Sequence, residues 1–553
     1  MAEAVASVVP PRRARFRYTL PGAWGALIFG CLAFVPSLLP RGAVMQGALC
    51  GINAAIGYGL GVLAAWVWRA FADRDVRPTR PSSWRIFLVV GGLAVVGSFL
   101  LGHRWQSQIR TFMDVPPASL TAQLLLPVVA ALFFVGSVAA GRGLHRLYFA
   151  LARLLHHWIG PRAAKAVGWV VVVGGTYMVV SGLVIGGLAD LANQTFSITN
   201  DDTQPGVVQP TTEYRTGGPS SLVSWESLGR EGRTFMSGGP TATDIAAYSG
   251  EPAKEPIRAF AGLETSDDTS ERAALAVADL ERLGGFDREY LMVATTTGSG
   301  WVSPGGADSF EYMVGGDSAI VAIQYSYLPS WISYLVDQRK AREAGRELFD
   351  SVYTRWLQLP KDSRPRLIIF GESLGTFGGE AAFSGAHDLA NRTSGALLTG
   401  PPNFNTLHTE FTDGRDPASL EIAPVYRDGE VVRFINSGDR VAEPENAPWV
   451  GSRVLYIQHP SDPIVWWSPD LILNRPDWLE EPPGQDVLSE AFWIPLVTFW
   501  QVSADLPVAV NVPAGHGHHY TTDYVDGWAS VLRPVYWTTA KRDELQAIIA
   551  PSS

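Results

Sequence analysis

The order of apolar and polar positions divides this chain into two parts. Up to about residue 190, long apolar runs alternate with short basic segments. Each of five runs is close to the roughly 20 residues that a helix needs to cross the hydrocarbon core of a bilayer. The pattern therefore predicts five membrane-spanning helices, at Pro21–Pro40, Val44–Phe71, Trp84–Gly102, Leu120–Ala140 and Val167–Leu188.

A cleavable signal peptide or a set of buried soluble helices would fit the apolar runs less well. A signal peptide would account for the first run only, and further runs follow it. A soluble protein would have to bury all of them within its first 190 residues. Gly57, Gly59 and Gly61 also suit close packing of helices in lipid. We therefore expect a multi-pass α-helical membrane domain over residues 1–195.

The basic residues between the runs predict the orientation. They concentrate in the N-terminal tail and at residues 69–85 and 142–165, whereas the alternate loops hold only Arg41 and then Arg104 and Arg110. The positive-inside rule places the first set in the cytoplasm. An odd number of spans then leaves the rest of the chain outside. Gly143–Ile159 has the pattern of an amphipathic helix on the inner surface, with interfacial histidines rather than a metal site.

The pattern changes after the last run. Residues 196–254 are rich in Gly, Pro, Ser, Thr and Asp, which predicts a linker or an irregular segment. From 255 to 553 short apolar strands alternate with helices, which is typical of a mostly parallel sheet. The predicted strands are Pro256–Leu263, Tyr290–Thr296, Ala319–Tyr327, Arg366–Phe370, Gly395–Thr399, Arg453–Gln458 and Val508–Val512. The predicted helices include Thr269–Leu283, Lys340–Leu357 and Thr376–Asn391.

Charge and cysteine content narrow the function classes. The 553 residues are too many for one ordinary domain. Residues 1–195 carry a net charge of +12 and the remainder −22, which suggests that the two parts lie in different environments. The acidic part has no basic stripe, so we expect no nucleic-acid partner. Cys31 and Cys50 are the two cysteines, which excludes a disulfide framework and a cysteine metal site.

One segment of the second part carries a known chemical motif. The apolar run 367–370 leads directly into Gly371-Glu372-Ser373-Leu374-Gly375, and small residues that suit a helix follow. A strand, a sharp turn that bears Ser and a helix form the nucleophile elbow of α/β-hydrolases. The pattern predicts Ser373 as a catalytic nucleophile, the alternative being an ordinary serine at the start of a helix.

Such a serine needs an acid and a base, which follow it in the order Ser, Asp/Glu, His. Asp462 lies just after the predicted strand Arg453–Gln458 and is the candidate acid. A plain turn Asp before Pro463 is the alternative assignment for it. Asp439, which follows a weaker strand, is the second candidate.

The candidate base lies in a loop with three histidines, His516, His518 and His519. Gly517-His518 followed by an aromatic residue resembles the usual base loop, so His518 is preferred, and His516 stays open. A zinc site is disfavoured because the spacing lacks an HExxH motif or a cysteine pair. We therefore expect no metal and no cofactor.

An oxyanion hole needs two backbone N–H groups. Leu374, directly after the nucleophile, should supply one. The other should come from the loop Gly298-Ser299-Gly300-Trp301, with Ser299 or Gly300 as donor, although an ordinary glycine turn has the same sequence. Aromatic residues between Asp462 and the histidine loop could cover the site as an acyl-binding wall, or they could simply fill the core. They are Trp466, Trp467, Trp478, Phe492, Trp493, Phe499 and Trp500.

Several stretches resemble the actinobacterial membrane-anchored α/β-hydrolase family that carries its own N-terminal transmembrane domain. The most specific is the run from Gln324 to Trp331. The others are Pro36–Arg41, Pro256–Arg258, Gly298–Val302, Gly371–Gly375, Gly400–Pro402 and Gly515–His518. The resemblance implies a Ser-Asp-His hydrolase on a membrane tether and implies little about the substrate.

Together these features predict an outer-side serine hydrolase that acts on lipid or cell-envelope esters beside the bilayer. An acyltransferase using the same acyl-enzyme is the nearest alternative. A transporter is disfavoured because the runs carry few ionisable residues. A non-catalytic binding module is disfavoured by the intact order of Ser, Asp and His. The sequence leaves the oligomeric state open.

Overall fold

The computed structural model describes residues 18–75, 79–179, 196–197, 199–336, 338–436, 448–449, 451–535 and 537–550. These residues divide into two compact units. The first holds residues up to Pro36, with 41–107 and 117–146. The second holds Ser37–Pro40, Gln108–Pro116 and the described residues from Leu147 onward.

The described residues of the N-terminal region are mostly helical. Within the described residues, three helices are long and apolar enough to cross a membrane: Ala43–Phe71, Pro81–Phe112 and Thr121–Leu155. This agrees with a membrane domain. The helices of the region are α1 (Leu20–Leu32), α2 (Ala43–Phe71), α3 (Pro81–Phe112), α4 (Leu120–Gln123), α5 (Leu125–Leu155) and α6 (Pro161–Met178).

Two of the five expected spans, the first and the fifth, are not among the three long apolar helices of the described residues. Helix α1 has 13 residues, too few to span a bilayer, because the chain leaves the helix before Pro36 and Pro40. Helix α6 has 18 residues with Arg162 and Lys165 in its first turns. Residues 180–188 of the fifth expected span lie outside the described residues, so that span stays a prediction. The separate amphipathic helix expected at Gly143–Ile159 is instead mostly the continuation of α5, which runs unbroken to Leu155.

Glycines allow α1 and α2 to pack closely. A Cβ on Gly57 would lie 2.1 Å from the carbonyl oxygen of Gly25, and one on Gly61 would lie 2.3 Å from that of Pro21. At Gly59 there is open space. Close helix packing is thus confirmed for two of the three glycines expected to support it.

The second unit is built on a parallel sheet, which has seven strands in the described part of the chain. The strand order is β1-β3-β2-β4-β5-β7-β6, and every pairing is parallel. The strands are β1 (Ile257–Ala261), β2 (Tyr290–Thr295), β3 (Ser318–Ile323), β4 (Arg366–Glu372), β5 (Gly395–Thr399), β6 (Val432–Ile435) and β7 (Arg453–Ile457).

Helices cover the sheet and connect its strands. They are α7 (Gly229–Ser237), α8 (Ala242–Ser249), α9 (Thr269–Arg282), α10 (Pro304–Met313), α11 (Ser330–Val336), α12 (Gln338–Gln358), α13 (Leu374–Glu380), α14 (Ala386–Arg392), α15 (Thr406–Asp413), α16 (Pro463–Trp466), α17 (Val497–Asp505), α18 (Tyr524–Leu532) and α19 (Thr539–Ile549). The strands are buried along almost their whole length, as in a sheet covered on both faces.

Six of the seven expected strands are confirmed, and Val508–Val512 is wrong. That stretch is a tight turn, in which Asn511 N donates to Val508 O at 2.9 Å and His518 N donates to Ala509 O at 2.8 Å. The remaining strand is β6, the weaker one that precedes Asp439. Asp439 itself lies outside the described residues.

The interval before β1 is folded against the sheet rather than a free linker. It contains α7 and α8, and its Val223, Leu228, Phe235 and Met236 are buried in the main apolar core. The expected helix Thr376–Asn391 is in fact two helices, α13 and α14. They are separated at Gly385, whose φ of +150° no helix can accommodate.

Candidate active site

Ser373 lies at the turn between β4 and α13. Its φ of 55° and ψ of −125° are strained for a residue with a side chain, as expected of a nucleophile elbow. The flanking glycines make the turn sterically possible. A Cβ on Gly371 would lie 2.4 Å from Gly375 O, and one on Gly375 would lie 2.3 Å from Thr295 O. The turn therefore brings Ser373 beside the end of β2.

A buried polar network supports the elbow from behind. Thr376 Oγ1 donates to Ser373 O at 2.6 Å, and Asn405 Nδ2 donates to Thr376 Oγ1 at 2.8 Å. Asn405 Nδ2 also donates to Glu380 Oε1 at 3.0 Å. These contacts fix the first turn of α13 relative to the loop after β5. No sequence motif pointed to Asn405 or Glu380.

The structure brings His518 and Asp462 together. His518 Nδ1 lies 2.6 Å from Asp462 Oδ2, and both side chains are buried. The carboxylate is also held by Tyr520, whose hydroxyl donates to Oδ2 at 2.7 Å, and by Ile464 N, which donates to Oδ1 at 2.8 Å. His518 is thus fixed through Nδ1 by a carboxylate that two other donors orient.

The other ring nitrogen of His518 is available for proton transfer. Nε2 is buried, and within the described residues it has no hydrogen-bond partner. Burial lowers the pKa of His518, but the charge and hydrogen bond of Asp462 raise it by more, with a further contribution from Glu372. The net direction is upward, so the site stabilises the protonated imidazole that a general base becomes.

His516 has a different carboxylate partner. Its Nδ1 lies 3.0 Å from Asp486 Oδ2, which also accepts the Ser461 hydroxyl. Ser461 Oγ in turn accepts Gly517 N at 2.9 Å. These contacts hold the histidine loop against the segment before α17. Of the two candidate bases, it is His518 that contacts Asp462.

His459, close to Asp462 in the sequence, is occupied at both nitrogens. Nδ1 lies 2.8 Å from Gly517 O and Nε2 lies 3.2 Å from Asp523 Oδ2. Its ring also stacks on Tyr520, with centroids 4.0 Å apart. His459 therefore supports the loop that carries His518.

The two expected sides of an oxyanion hole follow neighbouring strands, since β2 pairs with β4. Leu374 is the first residue of α13, so the helix itself does not use its N–H. In the loop after β2, Gly300 N donates to Thr297 O at 2.9 Å. Ser299 N makes no hydrogen bond with any described residue. This favours Ser299 over Gly300 as the second donor.

A second carboxylate lies beside His518. Glu372, the residue before the nucleophile, accepts the Tyr524 hydroxyl, which accepts the Ser303 hydroxyl at 2.9 Å. Burial raises the pKa of Glu372, while the charge on His518 and the hydrogen bond from Tyr524 oppose that rise. No motif in the sequence indicated this chain of contacts.

The aromatic interval has two roles. Trp466 and Trp478 are buried and pack on each other at 5.6 Å, so they belong to the core. Trp467 and Phe499 instead belong to a continuous row of rings that starts on the helix after Ser373 and includes residues from outside this interval. Neighbouring ring centroids in this row are 4.9–6.1 Å apart, in the order Phe377, Phe404, Tyr334, Trp467 and Phe499. We call these five residues the aromatic row.

In the described part of the chain, no three His, Cys, Asp or Glu side chains are placed to hold a metal ion together. The histidine loop instead makes hydrogen bonds with carboxylates and backbone carbonyls. The chemistry that this arrangement can perform is acyl transfer through a serine.

Comparison with known families agrees with this arrangement. A family described as "Alpha/beta-hydrolase family" matches residues 257–545, the part that contains the sheet, Ser373, Asp462 and His518. The chain belongs to this alpha/beta-hydrolase family. A second match, described as the N-terminus of such a family, covers residues 34–240, so the resemblance extends over the helical region of this alpha/beta-hydrolase. No curated protein and no solved structure matches the chain.

Proposed function

We propose that this alpha/beta-hydrolase is a membrane-anchored serine hydrolase that acts on lipid or cell-envelope esters at the outer face of the membrane. The observation that carries the proposal is the contact between His518 Nδ1 and Asp462 Oδ2, which leaves Nε2 buried and, among the described residues, without a partner. Nucleophilic serines require a histidine oriented in this way.

The proposed reaction proceeds in two halves. Ser373 Oγ attacks the ester carbonyl carbon while His518 Nε2 takes its proton, and the N–H groups of Leu374 and Ser299 bind the resulting oxyanion. The alcohol then leaves with the proton from His518, and an acyl-enzyme remains. Water, activated by the same histidine, attacks that acyl group and regenerates Ser373. A sugar or lipid hydroxyl in place of water would give acyl transfer.

The proposed location rests on two loops and on the distribution of charge. The loop after α1 contacts the proposed catalytic domain, because Asp505 accepts the Ser37 hydroxyl at 2.6 Å. This loop and the one after α3 carry few basic residues and are expected outside. The strongly basic segments 69–85 and 142–165 alternate with them. This alternation supports a catalytic domain outside the cytoplasm.

The aromatic row supports an apolar acyl group as the substrate. Phe377 is four residues after Ser373, and Tyr334 is close enough for the charge of Asp462 to contribute to the rise in its pKa, after burial. Trp467 and Phe499 are only half-buried. A row of rings that starts beside the nucleophile and ends partly exposed suits an acyl chain.

The test is labelling with a fluorescent fluorophosphonate in membranes that contain the wild type, Ser373→Ala, His518→Ala or His516→Ala. We expect the wild type and His516→Ala to label, and Ser373→Ala and His518→Ala to lose labelling. A folded wild type that does not label would overturn the proposal and would favour a binding module. Loss with His516→Ala but not with His518→Ala would assign the base to His516.

A further inference from the structure

The short loop after α1 is buried in the catalytic unit. Ser37, Leu38 and Leu39 are at most 6% exposed, and Leu39 is fully buried. The sequence of this loop, between Pro36 and Pro40, has the composition of a membrane-span end, and the proposed reaction gives it no role. The loop contacts the segment that carries the candidate base.

Two anchors hold the loop in place. Asp505, the last residue of α17, is fully buried and accepts the Ser37 hydroxyl at 2.6 Å and Leu38 N at 3.2 Å. At Gly517, an added Cβ would lie 3.3 Å from Leu39 Cδ2, so the leucine side chain covers this glycine. Ser37 therefore holds the end of α17, and Leu39 packs on the residue before His518.

Both anchored points are linked through the backbone to contacts of the base. Ala509, four residues after Asp505, supplies the carbonyl that accepts His518 N at 2.8 Å. Gly517 has a φ of +53° and is bonded to His518, and its own N–H donates to Ser461 Oγ. A displacement of either point would change the orientation of the imidazole.

We propose that Ser37 and Leu39 are positioning residues for the base, so that a loop from the N-terminal part of the chain completes the catalytic machinery. The inference rests on the proposed function, because it assigns His518 as the base. It makes catalysis depend on the contacts of residues 37–39 with Asp505 and Gly517.

The expected effect follows from the geometry of proton transfer. Loss of the Ser37 hydroxyl leaves Asp505 with one donor fewer, and the turn from Asp505 to Ala509 can then shift. A base displaced by about 1 Å loses roughly 10- to 100-fold in rate. The displaced imidazole also interacts less with Asp462, which lowers its pKa.

The experiment uses the full chain in membranes and measures the rate of fluorophosphonate labelling between pH 4 and 9. The variants are Ser37→Ala and the milder Leu39→Val, with Ser37→Thr as a variant that keeps the hydroxyl. The controls are Ser489→Ala and Leu473→Val, which change the same residue types at exposed positions. Rates are compared at equal amounts of folded protein.

We expect Ser37→Ala to label about 10-fold more slowly or worse and Leu39→Val to be slowed by less. In both, the acid midpoint should move to lower pH. The charged and titratable groups that set this midpoint are Asp462, Glu372 and His459, and neither variant changes them. Ser37→Thr should recover most of the rate. If Ser37→Ala does not fold, Leu39→Val decides by the same criterion.

Wild-type rates and midpoints in both loop variants would overturn the inference and leave the proposed function intact. A slower rate with an unchanged midpoint would also overturn it, because the loop would then not act through the contact between His518 and Asp462. A wild type that does not label would overturn the proposed function itself, and this inference with it.

Discussion

His518 Nδ1 and Asp462 Oδ2 are 2.6 Å apart, and the Tyr520 hydroxyl donates to the same carboxylate oxygen at 2.7 Å. One oxygen therefore receives two hydrogen bonds, while the other accepts Ile464 N. An ionised carboxylate accepts several donors at once, whereas an amide or a protonated acid cannot do so in the same geometry. The pair thus fixes both the ring orientation and the tautomer of His518.

The first prediction concerns this carboxylate. Asp462→Asn keeps the shape of the side chain but places an amide group where the ring N–H needs an acceptor, which favours the wrong tautomer of His518. We expect the rate of fluorophosphonate labelling to fall by about 10³- to 10⁴-fold.

The matched control is Asp523→Asn, because Asp523 is also buried and also contacts a histidine, at His459 Nε2. That change should cost far less rate, since His459 is not the proposed base. Equal losses in the two variants would mean that Asp462 has only a structural role.

The second prediction concerns pH. His518 must be neutral to accept a proton, so the labelling rate should fall as pH decreases through its raised pKa. Tyr520→Phe removes one donor from Asp462 Oδ2, so the carboxylate then attracts the imidazolium more strongly. We expect the acid midpoint of the rate to move upward, by roughly half a pH unit.

The comparison is the full pH profile of wild type and Tyr520→Phe, with labelling rates taken at matched protein concentration. A midpoint that moves down, or that stays fixed while the rate drops, would show that the hydroxyl does not act through Asp462.

Local sequence patterns were sufficient to predict the nucleophile elbow, but they were not sufficient to identify the base. Ser373 follows a short apolar strand and precedes a helix, and these features are contiguous in the sequence. His516 and His518 lie two residues apart in one loop, so the same local pattern fits both. The distinction depends on Asp486, which contacts His516 from 30 positions away. No motif marks such a residue.

The wrong predictions about the fold have a similar origin. Val508–Val512 is a short apolar run, which periodicity cannot assign. It forms a turn because its carbonyls accept hydrogen bonds from the histidine loop. The burial of Leu38 and Leu39 in the second unit also could not be predicted from the sequence. An apolar pair at the end of an apolar run has the composition of a membrane span.

The third prediction concerns the helix that follows the nucleophile. A Cβ on Gly378 would lie 2.5 Å from Thr295 Cγ2 and 2.7 Å from Ala341 O, whereas on Gly379 the nearest atom would be Ile369 Cγ2 at 3.4 Å. Gly378→Ala should therefore lower the free energy of unfolding by about 2 kcal/mol or more, and Gly379→Ala by less than about 1 kcal/mol. Thermal unfolding in detergent measures both. Equal shifts in the melting temperature would contradict the close packing of α12, α13 and β2.

The fourth prediction concerns acyl chain length. Trp467 lies in the aromatic row and is half-buried, whereas Trp478 packs on Trp466 in the core. Trp467→Ala should reduce kcat/KM for long-chain p-nitrophenyl esters by about 10-fold and for the acetyl ester by far less, since only a long chain reaches the ring.

Trp478→Ala is the control, and we expect it to reduce stability and to lower the rates with all esters in proportion. If Trp467→Ala affected short and long esters equally, the aromatic row would not be the acyl site.

The fifth prediction concerns stability, and it follows from the network behind the elbow. Glu380 is buried and accepts hydrogen bonds from Asn405 Nδ2, Tyr456 Oη and Leu407 N at 2.8–3.0 Å. Burial nevertheless raises its pKa to about 7 from an ordinary value of 4.5. The folded state therefore binds this proton more tightly than the unfolded state does.

The sign of the effect follows from proton linkage. Between pH 4.5 and 7 the folded chain holds more of this proton than the unfolded chain, so its free energy of unfolding decreases as pH rises. The stabilisation that the Glu380 proton contributes is complete below pH 4.5 and is lost by pH 7, with a total of roughly 3 kcal/mol.

The variant Glu380→Gln tests this effect, because it removes the titrating carboxyl group. Relative to wild type, this variant should therefore become steadily more stable as pH increases from 5 to about 7, and the difference should level off by pH 8. Melting temperatures in detergent across that range measure the difference, with the exposed Glu410→Gln as control. Parallel pH profiles for wild type and Glu380→Gln would show that Glu380 is already ionised in the fold at low pH, and that its three donors outweigh its burial.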